Sequence, residues 1–131
     1  MKTTLFCVLF VSSLWSMSAA WSGESHARCT GEYGGKTVHL DVLPTHDVYA
    51  MTTSDALSPF RFSAQYLPDR GKLKTYVYHD AKNRYVLIHT AEYTLTQANC
   101  DQHQSGFGVN KIYSARLEKE FLLQCFAVCN E

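Results

Sequence analysis

The stretch that decides the fold runs from Phe60 to Thr90: FRFSAQYL (60–67), PDRG (68–71), KLKTYVYH (72–79), DAKN (80–83) and RYVLIHT (84–90). Pro68 and Gly71 stand where a four-residue turn prefers proline and glycine. Folding the chain about that turn sets Leu67 opposite Lys72, Tyr66 opposite Leu73 and Phe62 opposite Val77. Asp80 to Asn83 is a second turn, which sets Tyr78 opposite Tyr85 and Val77 opposite Val86.

The two registers, read separately, agree about faces. One face gathers Phe60, Phe62, Ala64, Tyr66, Leu73, Thr75, Val77, Val86, Ile88 and Thr90. The other gathers Lys72, Lys74, Tyr76, Tyr78, Tyr85 and His89, together with Arg61, Ser63, Gln65 and Leu87. A slip of one residue would mix the two sets, so the pattern specifies a three-stranded antiparallel meander. Beyond Thr90 the alternation breaks, with Glu92 falling on the apolar side and Ala91, Tyr93 and Leu95 on the other. A bulge near there, or burial of both faces, accommodates the change.

Upstream, Cys29 to Tyr33 and Lys36 to Leu43 read as two strands around the Gly34-Gly35 turn. Val38, Leu40 and Val42 alternate with Thr37, His39 and Asp41, and Pro44 ends the run. Val48 to Thr53 reads as another strand and Ser54 to Pro59 as a loop. Downstream, Asp101 to Gly108 is a polar loop and Val109 to Ser114 a strand. Residues 115–129 are rich in good helix formers, and Leu117, Phe121, Cys125 and Cys129 recur every four residues. The expected fold is therefore α+β: a curved antiparallel sheet, a meander of about five to seven strands, with a C-terminal helix packed on it. The alternative is an all-β sandwich or barrel, in which the same stretch is a hairpin turning near Glu118-Lys119.

The first twenty residues read as a cleavable signal peptide. Lys2 is followed by an apolar run from Leu5 to Leu14 and by the small residues Ser18-Ala19-Ala20. That run is about half the ~20 residues a membrane span needs. Residues 21–131 are expected to form one exported domain that starts near Trp21. Its charge is close to balanced, 11 Lys+Arg against 12 Asp+Glu once Lys2 is removed, so it has no broad field to hold nucleic acid or an anionic membrane. With Cys7 gone, Cys29, Cys100, Cys125 and Cys129 are expected to form two disulfides in an oxidising compartment, with three pairings open. On a strand Cys125 and Cys129 would lie ~13 Å apart, too far to join, so each is expected to pair with a distant partner. Zinc is disfavoured, since no second Cys or His pair stands at ligand spacing.

Chemistry-bearing patterns are sparse. Histidine meets an acid at His46-Asp47, His79-Asp80 and His39-x-Asp41, and His26, His89 and His103 complete the set of six. Two imidazoles could serve a secreted hydrolase or nuclease as acid and base, but neighbours on a strand point to opposite faces. Ser54, Ser58 and Ser105 lie in no nucleophile elbow, and Ser105-Gly106-Phe107-Gly108 lacks the residues of a phosphate loop. No catalytic residue, metal ligand or cofactor is assigned. The expected function is binding of a protein partner through Lys72, Lys74, Tyr76, Tyr78, Tyr85 and His89, because tyrosine offers large contact area at low entropy cost.

In export, size and cysteine use, the chain resembles small bacterial periplasmic inhibitors of lysozymes and immunity proteins against secreted toxins. The resemblance implies a β-rich binding domain in the periplasm or outside the cell, of inhibitor, immunity or effector type. The Ser-Gly and Tyr loop motif of the best-known lysozyme-inhibitor family is missing, so no inhibitory residue carries over. A surface-assembly subunit fits the same facts.

Overall fold

A computed structural model describes residues 26–95, 106–114 and 118–128. In chain order the strands are β1 (His26–Tyr33), β2 (Lys36–Val42), β3 (Thr52–Leu57), β4 (Phe60–Leu67), β5 (Lys72–Asp80), β6 (Tyr85–Thr94), β7 (Val109–Tyr113) and β8 (Glu120–Val128). A single 3₁₀ turn over Pro68–Arg70 links β4 to β5. The strands form two antiparallel sheets of four, ordered β2-β1-β8-β7 and β3-β4-β5-β6, with one apolar core between them. Phe62 and Phe60 from the second sheet meet Phe121 from the first, with ring centroids 5.6 and 5.1 Å apart.

The expected C-terminal helix is replaced by β8, which lies between β1 and β7. The all-β alternative fits instead. The physical reason lies in the spacing itself. A four-residue recurrence keeps to one face of a helix, but it is also an even number and keeps to one face of a strand. Leu123 separates the two readings: it is fully buried beside Phe121 and Cys125, as a period of two requires. The β7–β8 hairpin closes without glycine or proline at its described ends. The Ser114 N–H donates to the Lys119 carbonyl at 2.9 Å, and the Lys119 N–H donates to Ser114 Oγ at 3.2 Å.

Pairing Cys29 directly across from Cys125 on the strand ladder brings them together as a disulfide in the core. Each thus has a distant partner, 96 residues away in sequence. Cys100 and Cys129 lie outside the described residues, as does the expected signal peptide.

The β4–β5 register is the one the turn residues imply, with Leu67 opposite Lys72 and Phe62 opposite Val77. The β5–β6 register is displaced: Asp80, not Tyr78, faces Tyr85, and His79, not Val77, faces Val86. The turn sits further along than Asp80–Asn83 suggests. Lys82 and Asn83 take positive φ (53° and 68°) and Ala81 donates to the Arg84 carbonyl, a two-residue hairpin loop that suits the twist of the flanking strands. The ladder then shifts between Val77 and Tyr78, with Ile88 the unpaired residue of β6, so that His89 faces Val77 and Tyr93 faces Leu73. This bulge accounts for the broken alternation. The third strand is also displaced: β3 begins at Thr52, and residues 43–51 form a loop between the sheets.

Candidate functional site

The outer face of the second sheet is built from alternate residues of its strands. On β5 these are Lys72, Lys74, Tyr76 and Tyr78, and each stands beside a β4 residue: Leu67, Gln65, Ser63 and Arg61 respectively. On β6 the bulge delivers Leu87 opposite Tyr78, Thr90 opposite Tyr76, Glu92 opposite Lys74 and Thr94 opposite Lys72. Four of the proposed binding residues are thus aligned along one strand, and Tyr85 joins them at the β6 end.

The bulge changes the character of this surface. Glu92, read from sequence onto the apolar side, lies between the two lysines, with its carboxylate 3.4 Å from Lys72 Nζ and 3.8 Å from Lys74 Nζ. Lys72 also donates to Thr94 Oγ1 at 3.0 Å. At the opposite end the Arg61 guanidinium lies 3.8 Å over the Tyr85 ring and reaches Asp55 at 3.3 Å. Each of these cations has an acidic neighbour, with Lys72 and Lys74 sharing the one Glu92 carboxylate, so the face is aromatic and its positive charge is partly offset. Tyr76, Tyr78 and Tyr85 are half-buried, and Leu87 beside them is exposed.

Part of the face is covered. Ser63 and Gln65 on β4 are buried. Ser63 shares a 2.8 Å hydrogen bond with Thr53, and the Gln65 amide donates to the carbonyls of Asp47 and Ala50, so the loop over residues 43–51 is strapped to this side of the sheet. The Thr45 N–H donates to the Tyr66 carbonyl, and the Tyr49 N–H to Asp47 Oδ1. These bonds tie the loop to β4. Sequence reading missed it because none of its residues matches a motif; the signal that was there is the run of apolar residues without strand alternation.

His89 is on the other side of the sheet. Its partner Val77 is a core residue, and its Nδ1 is buried with no hydrogen-bond partner among the described residues. Loss of water holds the imidazole below its usual pKa. His79 shares that inner face and stacks edge-on against Phe60, its Nε2 likewise buried and unpartnered. The remaining described histidines scatter over the surface. His46 bonds Asp69 rather than its neighbour Asp47, at 2.6 Å, and His39 bonds Thr30 at 3.0 Å. His26 and Arg28 flank Asp41 at 3.8 and 2.7 Å, and the Arg28 hydrogen bond holds that carboxyl below its usual range. No group of three or more His, Cys, Asp and Glu able to hold a metal ion occurs among the described residues. No described helix is long and apolar enough to cross a membrane.

Compared with models of protein families, with curated proteins and with solved structures, the chain matches none.

Proposed function

We propose that this protein is an exported binding module of inhibitor, immunity or effector type, which acts by contact between proteins through the outer face of β4, β5 and β6. The observation that supports this reading is the clustering of Tyr76, Tyr78 and Tyr85 on a face whose flanking cations pair with acids, Lys72 and Lys74 sharing Glu92 and Arg61 reaching Asp55. Cations that already have acidic neighbours attract an anion such as nucleic acid less than free Lys and Arg, whose phosphate contacts release its counterions. Tyrosines in such a frame suit apolar contact at the centre and orientation at the rim.

The test is affinity for a partner captured with the whole exported protein as bait. Changing Tyr76 and Tyr78 together to Ala should weaken binding by ~1–3 kcal/mol if either anchors the contact, while thermal melting stays near that of the unaltered protein. His46→Ala, on the exposed His46–Asp69 pair, should leave binding unchanged. Full affinity in the folded double variant would remove the face from consideration.

A further inference from the structure

We draw no further inference here: the strongest candidate, the side-chain cluster of Thr75, His79 and His89 around Val77 on the inner face of β5 and β6, whose polar atoms are buried without a hydrogen-bond partner among the described residues, carries nothing, because no set of His, Cys, Asp and Glu able to hold a metal ion forms among those residues and nothing in the structure shows what ligand would meet these atoms.

Discussion

His89 stands directly across from Val77 in the β5–β6 ladder, and so faces the core with its Nδ1 buried and without a hydrogen-bond partner among the described residues. Burial disfavours the charged imidazole and lowers its pKa from the ordinary 6.5. The unfolded chain then takes up this proton at a higher pH than the folded one. Between the two values the unfolded state binds more protons, so stability falls as the pH drops. The melting temperature should be flat above about pH 7 and decline as the pH falls through the ordinary imidazole value. His89→Leu should flatten that decline. A decline of the same slope in the variant would assign the effect to another group.

The two sides of β5 should respond differently to charge. Val77 is fully buried, and Val77→Asp should cost ~4 kcal/mol or more, enough to unfold the chain at ordinary temperature. Tyr78 is half-buried on the outer face, and Tyr78→Asp should cost ~1 kcal/mol. Urea unfolding checks both. Equal losses would mean that the outer face is as buried as the core, and the proposed contact surface would have no basis.

Gly31 sits in the middle of β1, where a strand ordinarily prefers a larger residue. Its place is set by close approach: a Cβ there would meet Phe121 Cζ and Phe62 Cε1 at 2.8 Å. Both rings are fully buried and cannot swing aside, so Gly31→Ala should destabilise by ~1–3 kcal/mol. Thr30→Ala, one residue away on the outer face, should cost less than ~1 kcal/mol. A stable Gly31→Ala protein would show that the two sheets can move apart at this point.

The Cys29–Cys125 bond closes a long stretch of chain, with a sequence separation of 96. On the chain-entropy model such a link contributes ~3–5 kcal/mol, and replacing both cysteines by alanine should lower stability by about that much. Peptide mapping of the protein without reduction should recover the two segments as one linked species. Separate peptides, or an unchanged unfolding midpoint in the double variant, would contradict the role assigned to it.

Sequence alone determined the β4–β5 pairing, because Pro68 and Gly71 localise the turn and an alternating apolar face admits one register. It also determined that Lys72, Lys74, Tyr76 and Tyr78 share a side of one strand, since that follows from a period of two. The tertiary structure decided what a local pattern leaves degenerate. Residues 120–128 satisfy both helical and strand spacing at every fourth position, and pairing with β1 and β7 on either side selected the strand. The Ile88 bulge turned His89 inward and Glu92 outward, because packing Tyr93 against the core outweighed unbroken alternation. That one extra residue made a surface that reads as basic and aromatic into one whose lysines are held by Glu92. The loop over residues 43–51 was likewise a tertiary outcome: it is tied down by the Gln65 amide, which lies 18 and 15 positions from the Asp47 and Ala50 carbonyls it bonds, a link no local rule supplies.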